Sequence, residues 1–127
     1  GHGVGHLLSV HEGPNKISPL GGDSIIREGM ITSDEPGLYL TDEYGIRLEN
    51  EILCIRAEDS IGGEDGMLQF EPITWCPWER KAIMPEMLTE TEKSWLNNYH
   101  RKVYEKLQPL LDEETAGWLK TQTEIIY

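Results

Sequence analysis

The stretch SDEPGLYLTDEYGIRLENEIL, residues 33–53, decides the fold. Two runs rich in aliphatic, β-branched and aromatic residues flank the polar segment Thr41-Asp42-Glu43, a pattern that predicts an antiparallel hairpin. A turn about Asp42 sets Tyr39 opposite Gly45, Gly37 opposite Arg47 and Glu35 opposite Glu49. Cβ atoms of opposed residues lie roughly 4.5–5.5 Å apart, so two carboxylates placed there repel by up to about 1 kcal/mol. A raised pKa on one carboxyl, or a cation between the two, relieves that repulsion. Arg47, two residues from Glu49 and on the same face, is a partner in either case. A pair of solvent-facing glutamates on an exposed hairpin is the competing reading, and register alone does not choose between them.

Working outward, residues 29–36 and 38–56 read as two antiparallel strands, and 67–76 as a third that follows a polar turn at 60–66. Residues 1–24, rich in Gly, His, Pro, Ser and Asn, suit a loop that approaches a ligand closely. From about residue 85 the period changes. Thr89 and Glu92 form a capping-box pattern, and Trp95, Leu96, Tyr99, Val103, Leu107 and Leu110 then recur at helical spacing. Pro109 ends that helix, and Asp112 is the N-cap of a shorter one through Trp118 and Leu119. The expected fold class is α+β: antiparallel hairpins in residues 1–84, then a helical extension in 85–127.

A chain of 127 residues with 38% hydrophobic content is the size and composition of a globular domain. Its formal net charge of −12 argues against a nucleic-acid binder, which needs a basic face. No run of about 18 apolar residues predicts a membrane span, and the first residues carry neither the basic n-region nor the apolar h-region of a signal peptide. Cys54 and Cys76, the two cysteines, read as buried free thiols rather than a disulfide framework. A reducing, cytoplasmic compartment is the expectation.

The opening GHGVGHLLSVHEGP, residues 1–14, carries His2, His6 and His11. Imidazole and carboxylate donors together suit borderline divalent ions, and a glycine-flanked loop can bring an imidazole to a site where two strands already supply oxygen. Each histidine also has a plainer reading: His2 as an expression remnant, His11 as a loop residue satisfied by backbone. His6, four residues after His2, imitates a helical two-histidine pair, but Gly3 and Gly5 argue against that helix, and it reads as a bystander.

The order GHGVGHLLSVHEGP, EGMITSDEPGLYL, YGIRLENEIL closely resembles the C-terminal half of the catalytic domain of Xaa-Pro aminopeptidases, members of the pita-bread metallopeptidases. The tail LTETEKSWLNNYHRKVYEKLQPLL resembles the helical extension of their longer, cytosolic-type members. The resemblance implies a partial pita-bread fold in which His2, Glu35 and Glu49 are metal ligands and His11 and Glu35 are catalytic. Arg47 would orient its neighbours. It further implies two divalent ions, usually Mn²⁺ with Zn²⁺ or Co²⁺ as alternatives, and a metal-activated hydroxide that removes the residue preceding proline. Peptides with proline in second position would be the substrates, and the full-length enzyme a homodimer.

The family's site also takes two aspartates upstream of the GHGVG motif, and this chain contains none at matching positions. The expectation is therefore a C-terminal fragment, inactive and metal-free or partly occupied by itself. A non-catalytic binding or dimerisation module of the same fold is the alternative.

Overall fold

The computed structural model describes residues 1–22, 24–57 and 66–127. Five strands, β1 (Ile31–Asp34), β2 (Gly37–Leu40), β3 (Tyr44–Arg47), β4 (Asn50–Arg56) and β5 (Leu68–Pro72), precede two helices, α1 (Glu90–Leu107) and α2 (Glu113–Gln122). The chain divides into two compact units, Gly1–Thr74 and Trp75–Tyr127.

The first unit holds a three-stranded antiparallel sheet of order β1-β4-β5 and a separate two-stranded hairpin, β2-β3. The hairpin register is the expected one, with Gly37 opposite Arg47 and Tyr39 opposite Gly45. Asp42 makes the turn at φ 59°, a left-handed conformation that Asp tolerates better than most residues. Beyond the hairpin the same register resumes, with Asp34 opposite Asn50 and Ile31 opposite Leu53.

Between the two ladders the pairing stops, so the two long strands expected over 29–36 and 38–56 are four. Residues 35–36 and 48–49 belong to no strand. Pro36 brings no N–H to a ladder, and the Glu35 side chain is engaged by other partners described below. Glu35 and Glu49 thus occupy corresponding positions in an interruption rather than a regular cross-strand pair. The third strand is shorter than the sequence suggests, and the turn at 60–66 lies, apart from Gly66, outside the described residues.

β4 is the central strand, and its side chains alternate: Asn50, Ile52 and Cys54 are buried, their neighbours only partly so. Thr32 and Ser33 of β1 and Asn15 of the first loop complete this small, polar interior. Both cysteines are free, as expected, but Cys76 is exposed and only Cys54 is buried. Cys76 stands outside any strand, next to Pro77, where no ladder forces it inward.

The second unit is organised by α1. Thr89 accepts the Glu92 N–H while the Glu92 carboxylate accepts the Thr89 N–H, the reciprocal box the sequence predicts. Leu96, Tyr99 and Val103 form a core with Leu119 of α2 and Ile126, and Trp75, Trp78 and Leu107 pack against it. Trp95 and Leu110 share the expected stripe but stay exposed, the latter because α1 ends at Leu107 and a 3₁₀ turn containing Pro109 follows. Asp112 caps α2 by accepting the Thr115 N–H at 3.0 Å. Among the described residues, no helix is long and apolar enough to cross a membrane.

Candidate metal centre

Residues 1–3 lie antiparallel to residues 15–17 on one side and beside β1 on the other. Gly3 N–H donates to Asn15 O at 3.0 Å, Ile17 N–H to Gly1 O at 2.9 Å, and Ser33 N–H to His2 O at 2.9 Å. Isolated bridges pair His2 with Lys16 and Gly3 with Thr32. The fit leaves no room for side chains at two glycines of the GHGVG motif. A Cβ on Gly3 would strike the Glu12 carbonyl and the Asn15 amide, and one on Gly5 would strike the Glu12 carboxylate. These glycines bring the backbone that carries His2 against the loop that carries His11.

Asn15, buried, fastens this layer to the sheet. Its Nδ2 donates to Ile31 O at 2.7 Å and to Thr32 Oγ1. Nothing in the sequence pattern singled it out, because a polar residue in a Gly/Pro-rich loop reads as solvent-facing until the partners that bury it are known.

The side chains then converge on Glu35. Ser33 Oγ donates to Glu35 Oε1 at 2.8 Å and accepts the His2 N–H at 2.9 Å. His2 Nε2 stands 3.2 Å from the same carboxylate oxygen. Arg47 Nη1 donates to Glu35 Oε2 at 2.7 Å. Arg47 is itself held, through Nε, by the hydroxyl of Tyr39. That tyrosine lies across Gly37 and Gly45, where a Cβ would meet its hydroxyl at 2.6 Å and its ring at 2.7 Å respectively. The His11 ring packs edge-on against His2, centroids 4.4 Å apart, and both line a cavity of about 510 Å³ with Glu12, Lys16 and Glu35.

The Ser33 hydrogen bond, and after it Arg47 and His2, hold the Glu35 carboxyl below its usual range, against the opposing effect of partial burial. Glu35 is therefore an anion in this setting. His2 Nδ1 faces the Gly3 carbonyl at 3.1 Å, a contact only an N–H satisfies. Nε2 is then the atom that addresses Glu35. An imidazole nitrogen and a carboxylate oxygen at this separation are a donor pair that one divalent cation can share.

Donor atoms each about 2.1 Å from one ion, at angles between octahedral and tetrahedral, lie about 3.0–3.4 Å apart, and the observed separation falls within that span. The donor set fits a borderline divalent ion. It is also incomplete: among the described residues no three His, Cys, Asp or Glu side chains converge closely enough to hold a metal ion. Glu49, exposed, stands apart from the His2–Glu35 pair, and its charge reaches the group through Arg47. His6 lies exposed on a 3₁₀ turn, His6–Leu8, and takes no part.

Two family models match almost end to end. Residues 1–56 match metallopeptidase family M24, and residues 66–126 match the C-terminal region of peptidase M24. The chain belongs to the M24 metallopeptidases. It is 43% identical, over 97% of its length, to a probable Xaa-Pro aminopeptidase P of Coprinopsis cinerea, and 43% identical, over 98%, to aminopeptidase P1 of Arabidopsis thaliana. It covers 21% and 20% of those proteins, so it spans about a fifth of the relatives it matches. The X-prolyl aminopeptidase of Caenorhabditis elegans, described as a cytosolic enzyme with a dinuclear active site, superposes with a TM-score of 0.86. That match has 32% identity and covers 98% of this chain and 21% of that one. The fold is α+β and forms part of the pita-bread fold, in agreement with the resemblance read from the sequence.

Proposed function

We propose that this chain supplies one side of the dinuclear metal site of a longer Xaa-Pro aminopeptidase, and that by itself it is inactive. The observation that carries the reading is the 3.2 Å approach of His2 Nε2 to Glu35 Oε1, fixed on one side by the Gly3 carbonyl and on the other by Ser33 and Arg47. Relatives at 43% identity, five times longer, are named for the activity.

In this reading His2, Glu35 and Glu49 are metal ligands. Two divalent ions, with Mn²⁺ favoured over Zn²⁺ and Co²⁺, supply Lewis acidity and a nucleophile at neutral pH when bound. Arg47 and Ser33 hold the Glu35 carboxylate in one orientation, so that it can hold a proton on one oxygen while Arg47 occupies the other. His11 lines the same cavity, where an imidazole N–H meets the charge that develops on the former carbonyl oxygen. The Xaa-Pro amide has no N–H and a fixed φ, so recognition rests on the free amine and the ring rather than on backbone pairing.

Metal content is the test. The longer polypeptide carrying this segment should retain two ions after dialysis, and His2→Ala, Glu35→Ala and Glu49→Ala should each lose at least one. Retention of both ions in all three variants would remove the ligand assignment. Exposed Trp95 and Trp118 on the helical unit motivate a homodimer of that longer protein. Sedimentation at the monomer mass would refute it. The described compartment of the nematode relative favours a cytoplasmic location, which cell fractionation tests.

A further inference from the structure

Lys16 is the one Lys or Arg in the first 26 residues of a strongly acidic chain. It is the antiparallel bridge partner of His2. Directly opposed residues project to the same face with Cβ atoms roughly 4.5–5.5 Å apart, so the Lys16 stem leaves the backbone beside the candidate ligand. It lines the cavity of His2, His11 and Glu35, and it also lines an adjoining hollow of about 620 Å³ with Pro14, Leu20 and Ser24. Pro14 and Lys16 are the wall shared by the two.

Among the described residues Lys16 makes no ion pair, although Glu35 and Glu12 line the same cavity. An ammonium without an ion pair at the junction of two hollows is available to an anionic group of a ligand. The ligand chemistry follows from distance. In an extended peptide the third residue's carboxylate lies two residues beyond the scissile carbonyl, about 7 Å away, a span comparable with the reach of a lysine side chain opposite His2.

We propose that Lys16 forms an anion subsite that receives a carboxylate carried by the third residue of an Xaa-Pro-Yaa substrate. The inference rests on the aminopeptidase reading and adds to it a preference among substrates. The carboxylate has two sources, the α-carboxylate of a tripeptide or the side chain of an acidic third residue, and the test separates them.

The metal-loaded longer polypeptide is assayed on Ala-Pro-Ala, Ala-Pro-Ala amide and Ala-Pro-Asp amide, as wild type, Lys16→Met and Lys16→Arg. A KM for at least one charged peptide about three- to five-fold below that of the neutral amide is expected, the size of a solvent-exposed ion pair, and it should shrink at high salt. Lys16→Met should bring the peptides to parity, and Lys16→Arg should keep the difference, which a packing role would not do. Whichever charged peptide is favoured identifies the source. Cleavage of the neutral amide with equal KM for all three overturns the subsite and leaves the aminopeptidase reading standing. Cleavage of none overturns both.

Discussion

His2 Nε2 faces Glu35 Oε1 at 3.2 Å, and Ser33, buried between them in the fold, touches both residues. Its hydroxyl donates to the carboxylate and accepts the His2 amide. Groups that orient metal ligands typically change affinity 10- to 100-fold when removed. Ser33→Ala in the longer polypeptide should therefore weaken Mn²⁺ binding by about ten-fold in a calorimetric titration. An unchanged affinity would show that the Ser33 bridge does not position the pair.

Asn15 joins the loop of His11 to the strand that leads into Glu35. Asn15→Ala leaves Ile31 O and Thr32 Oγ1 without their donor, at a cost of about 1–3 kcal/mol. The amides of Gly3 and Glu12, which bond across this layer, should then exchange faster with deuterium. Equal protection in the variant would count against Asn15 as the fastening point.

His100 is fully buried, and its Nε2 accepts the Trp78 backbone N–H at 3.1 Å, so it is neutral with the proton on Nδ1. Burial first, and Arg80 second, push its pKa below 6.5. The sign follows from the depressed folded value. Below pH 6.5 the unfolded chain takes up a proton that the folded unit resists, so stability present above that pH is lost as the pH falls toward the folded pKa. All four tryptophans lie in the helical unit, so fluorescence-detected urea midpoints should decline from pH 7.5 to 5.5. In His100→Gln, which keeps an acceptor near Nε2, the decline should flatten. The same slope in both proteins would exclude His100 as its source.

The helical unit should also separate capping from core packing. Thr89→Ala removes one half of a reciprocal cap and should cost about 1 kcal/mol. Leu119→Ala empties a site 1% exposed and should cost about 2–5 kcal/mol, enough to unfold a unit this small. Comparable losses by urea denaturation would contradict the placement of Leu119 in the core.

Thiol reactivity gives a direct check on burial. Cys76 is exposed, while burial pushes the Cys54 thiol above its ordinary pKa, with a smaller push from Glu28. One thiol per chain should react with a maleimide in the native protein and two in guanidinium. Two fast-reacting native thiols would contradict the position of Cys54 in β4.

The hairpin register and both helix caps were legible in the sequence because each is set locally, by Asp42, by Thr89 with Glu92, and by Asp112. The break at Glu35-Pro36 was harder to see. Proline announces a missing donor, but the contacts that hold Glu35 come from Ser33, His2 and Arg47, which only the fold assembles. The hairpin register points to Glu35, Glu49 and Arg47 and the motif resemblance to His2, and the fold brings His2, Glu35 and Arg47 together. Glu49 was identified with them and remains outside their cluster in this chain. Nothing in the sequence marks Asn15 or His100, because a buried polar side chain is indistinguishable from an exposed one until its partners are placed.

The central claim is that these residues are one part of a dinuclear aminopeptidase site and do not suffice alone. It is tested most directly by release of the N-terminal residue from an Xaa-Pro-Pro peptide after Mn²⁺ addition, measured for the 127-residue chain and for the longer polypeptide that contains it. The expected result is turnover by the longer polypeptide and none above blank by the chain. Turnover by the chain alone, or none by the metal-loaded longer polypeptide, would contradict the account.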